Sequence, residues 1–147
     1  MRVCRFRHDG KTAAGFYSEE YVIPVLSAAA RYSEAVHEKL DIPRRDDLLP
    51  LLPPDGSGHK DAAKLARWVA EHGELLPDNM RLTTKSVELL VPIPRPPKLF
   101  LLAGNYAKHI EEGGGIAAER AETFPYVFMK PPTTTLTDPG KPVRIPT

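Results

Sequence analysis

The chain has 147 residues, 41% of them apolar and 27% charged, the balance of a soluble globular protein with room for one ordinary domain or a small domain plus part of another. Twenty Lys and Arg against nineteen Asp and Glu leave a net charge of +1, so there is no electrostatic case for nucleic acid or an anionic membrane as partner. No apolar run approaches the roughly 18 residues of a membrane span. Met1 to Gly15 lacks a signal peptide's apolar segment, and a lone Cys4 cannot form an internal disulfide, so the expected compartment is the cytoplasm.

Val3 to Arg7 alternates, with Cys4 and Phe6 facing one way and Arg5 and Arg7 the other, which predicts a half-buried strand. Asp9-Gly10 is a hairpin signal. Strands follow at about Thr12 to Tyr17 and Tyr21 to Val25, so the chain opens as a small antiparallel sheet. Ser27 can cap a helix running to about Leu40, whose Ala29, Tyr32, Val36 and Leu40 would pack on that sheet while Arg31, Glu34 and Glu38 face water. Pro43, Pro50, Pro53, Pro54 and Gly56 exclude a long helix between Asp41 and Gly58. Leu48, Leu49, Leu51 and Leu52 are too apolar for a free linker and are expected to cover the core. A second helix spans about Lys60 to His72, with Leu65, Trp68, Val69 and His72 on one face, and stops at Gly73. Ser86 to Val91 reads as a strand.

Pro92, Pro94, Pro96 and Pro97 then form a stiff extended connector. It divides an N-terminal α+β domain over 1–91, a small antiparallel sheet with two helices, from a second domain over 98–147, with 92–97 between them. Leu99 to Ala103 is an unbroken apolar run bounded by Pro and Gly, the pattern of a buried strand, and Gly104-Asn105 supplies a turn residue and an N-cap for a short helix. Gly113-Gly114-Gly115 ends that helix and leaves a loose flap. Ile116 to Glu122 reads as a further short helix and Tyr126 to Met129 as a strand. Asp138-Pro139-Gly140 is a turn before a last strand at Val143 to Ile145.

The candidate chemistry gathers around this second region. His109 and Glu112 stand three positions apart on the predicted helix, so a carboxylate can orient an imidazole, the arrangement of a general base with its partner. On spacing alone such a pair is more often a solvated helix pair; its place directly after a strand and a Gly-Asn turn favours function. Lys130, at a strand end before Pro131, is either a surface lysine or a cation facing a carboxylate or developing oxyanion. Asn105 can cap the helix and line a pocket, and Tyr106 reads first as a packing aromatic. His8, His37, His59 and His72 share no metal-ligand spacing. Gly56 to Lys60 lacks the spacing and the preceding strand of a phosphate loop.

The run Pro96-Pro97-Lys98, the apolar strand, Gly104-Asn105-Tyr106 with His109 and Glu112, and then Phe128-Met129-Lys130-Pro131 resembles the opening of the catalytic domain of the fumarylacetoacetate hydrolase family. The resemblance covers about Leu90 to Thr147, and the first ninety or so residues resemble, more weakly, the small N-terminal domain that many members carry. It implies the first strands and helix of a mixed-β catalytic domain, a Mg²⁺ or Mn²⁺ cofactor, and hydrolysis of a carbon-carbon bond in an acylpyruvate-like or related 2-oxo acid. His109, oriented by Glu112, would activate water; Asn105, Tyr106 and Lys130 would bind substrate; the whole protein would be a homodimer. The family's metal is held by a Glu-x-Glu pair and an Asp further along. No Glu-x-Glu occurs in this chain. It is therefore expected to be the front portion of a family member, with no metal ligand of its own and no activity alone. Decarboxylases, isomerases and lyases on metal-bound enolates belong to the same family, and a non-catalytic fragment or binding module is the alternative of a different class.

Overall fold

Asp9 (φ 48°) and Gly10 (φ 73°) both take left-handed backbone, the pair that a tight hairpin turn of matching twist requires. They fold Val3–His8 (β1) back on Lys11–Tyr17 (β2) in the computed structural model, which describes residues 2–44, 46–116, 124, 126–143 and 145. Tyr21–Pro24 (β3) pairs with β2, Leu82–Thr83 (β4) with β3 and Glu88–Leu90 (β5) with β1, all antiparallel, giving the order β4-β3-β2-β1-β5. The fold class is α+β, as the sequence pattern predicts. Two-residue β4 carried no pattern, since alternation needs a longer run.

Register makes one glycine indispensable. Gly15 lies opposite Cys4 in the β1–β2 ladder, and a Cβ there would come 2.4 Å from Val22 Cγ1 and 2.9 Å from Phe6 Cε1. Both neighbours are buried and have nowhere to go. Gly15→Val is accordingly expected to destabilise the fold by about 1–3 kcal/mol, the usual cost of overpacking. Urea unfolding followed by circular dichroism would measure it; an unchanged midpoint would show that Phe6 and Val22 repack freely.

The first helix departs from expectation at both ends. It spans Val25–Val36 (α1) and starts two residues before Ser27, with Pro24 at the N-cap position and no side-chain cap. The strand residue Pro24 has no N–H to extend a ladder, so strand passes straight into helix. His37 ends it in left-handed backbone (φ 57°), its N–H donating to the Ser33 carbonyl at 3.0 Å. The buried face is Val25, Ala28 and Tyr32, and Val36 is exposed. Leu40 still reaches the core, carried there with Ile42 by an irregular stretch rather than by helix.

His59–Glu71 (α2) matches the second expected helix and buries Ala62, Leu65 and Trp68 against α1. Trp68 packs edge-on to Tyr32, with centroids 5.4 Å apart at 84°, and stacks on His72 at 5.6 Å and 15°. Leu48 and Leu51 are buried as expected, whereas Leu49 is turned outward by the 3₁₀ turn Leu49–Leu51. Arg5 ties this segment to β1, both Nε (3.3 Å) and Nη2 (2.9 Å) donating to Asp46 Oδ2.

Two compact units make up the chain, Met1–Ile93 with Thr137–Thr147, and Pro94–Leu136. Within the first, the Val91 N–H donates to Asp138 Oδ1 at 2.7 Å and Lys141 pairs with Glu88 at 2.9 Å. The expected turn at Asp138 is present, closed by the Lys141 N–H to the Asp138 carbonyl. Val143 and Ile145 are not in a strand, and Arg144 lies outside the described residues.

The second unit contains Phe100–Ala103 (β6), Ala107–Glu112 (α3), Tyr126–Met129 (β7) and Pro132–Thr135 (α4). β6 and β7 form an antiparallel two-stranded sheet. The strand expected to be buried is exposed at Phe100 (58%) and Leu102 (52%); among the described residues β6 pairs with β7 alone, and a two-stranded sheet needs a further layer to bury a face. The short helix expected at Ile116 to Glu122 falls mostly on 117–123, outside the described residues. Among the described residues no helix is long and apolar enough to cross a membrane.

Candidate functional site

The site residues follow from how β6 ends. Gly104 takes left-handed backbone (φ 57°) and turns the chain away from the strand. Tyr106, still extended at φ −147° and ψ 145°, is the N-cap residue of α3; Asn105 is not, and no side chain caps this helix. The reason is that the turn uses one residue more than a Gly-Asn cap allows. Ile110 anchors α3: a Cβ on Gly104 would touch its side chain at 3.5 Å, and one on Gly115 would meet it at 2.9 Å. The Gly115 N–H donates to the Ile110 carbonyl at 3.0 Å, and Gly114 (φ 78°) makes the left-handed step between them.

With Ile110 turned toward the glycines, α3 presents Tyr106, His109 and Glu112 to solvent. The Tyr106 and His109 rings lie 5.3 Å apart, tilted by 33°. Sequence reading treated Tyr106 as packing; its i,i+3 spacing to His109 was the signal for this contact. Among the described residues no hydrogen bond or ion pair joins His109 to Glu112. The imidazole is thus an exposed base beside a phenol ring, with a carboxylate one turn away.

Lys130 lies elsewhere. The register pairs Phe100 with Met129, and the Lys130 N–H donates to the Leu99 carbonyl at 3.1 Å. Lys130 therefore stands at the start of β6, whereas α3 follows its end, a separation of about 13 Å along four strand residues. Asn105, Tyr106, His109 and Glu112 are brought together in one turn and helix; Lys130 is not brought to them.

Among the described residues no group of three or more His, Cys, Asp or Glu is placed to hold a metal ion. Glu111 and Glu112, the carboxylates of α3, sit on exposed helix without a converging third donor, which does not fit the near-octahedral oxygen shell of Mg²⁺. Cys4 is no rival nucleophile. Burial pushes its thiol up to about 11, against a smaller opposing effect of its hydrogen bond with the Gly15 backbone, so it stays protonated at neutral pH. His72 is half-buried and occupied, stacked on Trp68 with Nδ1 3.2 Å from the Trp68 carbonyl. His8 pairs with Asp9 at 3.4 Å, and His37 ends α1.

No family model matches the chain, and no curated protein matches it.

Proposed function

We propose that the chain is the front portion of a hydrolase of the fumarylacetoacetate hydrolase family, its second unit opening that family's mixed-β catalytic domain. The reaction is hydrolysis of a carbon-carbon bond in an acylpyruvate-like 2-oxo acid. The observation that carries the reading is the strand-turn-helix of β6 and α3, which presents Asn105, Tyr106, His109 and Glu112 from one short segment in the pattern of the resemblance. His109 takes a proton from water as the water oxygen bonds to the acyl carbonyl carbon. Collapse of the tetrahedral oxyanion breaks the carbon-carbon bond; its electron pair passes to the 2-oxo acid as an enolate, which takes a proton at carbon. A carboxylic acid and a 2-oxo acid leave. Glu112 stabilises the imidazolium formed on the way, and Asn105 and Tyr106 border the substrate. The resemblance also calls for a divalent cation, for which the described residues assemble no donor set.

The reading is tested by titrating the isotope-labelled chain with acetylpyruvate and following amide and imidazole resonances. Shifts centred on Asn105, Tyr106, His109 and Glu112, weakened in Asn105→Ala, are expected. Shifts that avoid this segment, or none at millimolar ligand, would leave the chain as a module with no 2-oxo acid site.

A further inference from the structure

We propose that Tyr106 is a positioning residue for His109, the face of its ring supporting the imidazolium that forms when His109 takes a proton. The inference rests on the reading of His109 as a general base, and it gives the phenol ring a part beyond bordering the substrate. Backbone geometry sets the pair. Tyr106 offers its carbonyl to the N–H groups of His109 at 3.2 Å and Ile110 at 3.4 Å, which closes the first turn of α3. That turn brings the two side chains together, with ring centroids 5.3 Å apart and planes tilted by 33°. Ile110 seats against Gly104 and Gly115, so α3 is held in place without help from a ligand.

The tilt decides the sign of the effect. An aromatic ring is negative on its face and positive at its edge, so a perpendicular, edge-on phenol would oppose a charge on the imidazole. At 33° the planes are nearer parallel than perpendicular, and the imidazole meets the face of the phenol. A cation within about 6 Å of a tyrosine centroid on that side is attracted by the ring. Neutral imidazole carries no charge for the ring to attract. The contact therefore favours the protonated form, the one His109 must reach as water gives up its proton.

The ring, and not its hydroxyl, makes this contact, since among the described residues no hydrogen bond joins the Tyr106 hydroxyl to His109. Lys108, Glu111 and Glu112 are the charged groups of the same helix. All three are exposed, so they act on the imidazole through water, and they stay the same in any variant of Tyr106. A difference between such variants therefore reports the ring. For an exposed contact of this kind, its removal is expected to lower the proton affinity of the imidazole about two- to fivefold.

The test is an imidazole titration of the whole isotope-labelled chain, followed by nuclear magnetic resonance without substrate, with the other four histidines as internal references. Tyr106→Phe keeps the ring and should leave the proton affinity of His109 within about 1.5-fold of wild type, whereas Tyr106→Leu should lower it about two- to fivefold. Tyr106→Trp presents the stronger face and should match or exceed wild type, which keeps the test decisive if leucine unravels the short helix. An unchanged midpoint in a folded Tyr106→Leu chain would overturn the proposal. So would a Tyr106→Trp affinity below wild type, or a fall in Tyr106→Phe equal to that in Tyr106→Leu, which would assign the effect to the hydroxyl. Because no substrate is present, such a failure strikes the role of Tyr106 alone, and the general-base reading of His109 still answers to the acetylpyruvate titration.

Discussion

In a form of the protein that cleaves an acylpyruvate, His109→Ala is expected to lower turnover by about 10²–10⁴-fold, the contribution of a positioned general base. Water, with a pKa of about 15.7, gives up a proton in the transition state only to a base placed to take it. Alanine leaves none within α3 except carboxylates. Glu112→Gln should act in the same direction with a smaller effect, because it removes the charge that favours the imidazolium. His109 and Glu112 are not hydrogen-bonded in the free chain, so the carboxylate must rotate toward the imidazole for that effect to appear. Catalytic hydrogen bonds commonly tighten only in the substrate complex.

Neither substitution should disturb folding. Both side chains are exposed, and α3 is held by Ile110 against Gly104 and Gly115 rather than by the face that carries His109 and Glu112. Turnover measured at saturating substrate, with circular dichroism as a control, separates chemistry from folding. The affinity for substrate should change less than the rate, since the base acts on water. Wild-type turnover in a folded His109→Ala variant would remove His109 from the reaction.

What the sequence made legible here was local. The β1–β2 hairpin could be read because Asp9-Gly10 names its turn and alternation names its strands, and α2 because Leu65 and Trp68 repeat at helical spacing up to a glycine. The clustering of Tyr106, His109 and Glu112 is of the same kind, fixed by positions within one helix turn. The misread features depend on partners distant in sequence. Leu40 looked like the end of α1 because its spacing fits a helix face, yet it is buried by a chain that has already left the helix at His37. Leu99 to Ala103 looked buried because it is apolar throughout, but burial requires a covering layer, and composition alone does not supply one. The place of Lys130 depends on strand direction in the same way. A parallel pairing of β6 and β7 would have put it beside α3; the antiparallel ladder puts it at the other end. Nothing in the two strand sequences decides between those directions.

Trp68→Ala is expected to cost about 3–5 kcal/mol, the range for emptying a large aromatic site in a core. That is a large part of the roughly 5–15 kcal/mol that holds a domain of this kind together. Trp68 joins α1 to α2 through Tyr32 and closes the end of α2 through His72, so its loss opens a cavity between helices rather than at the surface. Tyr32 cannot move in to fill the space. Its hydroxyl donates to Glu38 Oε2 at 3.0 Å, and Glu38 is in turn held by Lys64 Nζ at 2.6 and 2.7 Å, which fixes the ring from its far end. Trp68→Phe keeps most of the apolar volume and the edge-on contact, and should cost less than half as much. Because Trp68 is the chain's one tryptophan, its variants lose the fluorescence signal, and urea unfolding is best followed by circular dichroism. The resonances of Tyr106 and His109, in the other unit, should stay where they are in the folded variant if Trp68 serves the first unit's core alone. A loss under about 1 kcal/mol would mean that α1 and α2 are held together chiefly by Ala28, Ala62 and Leu65.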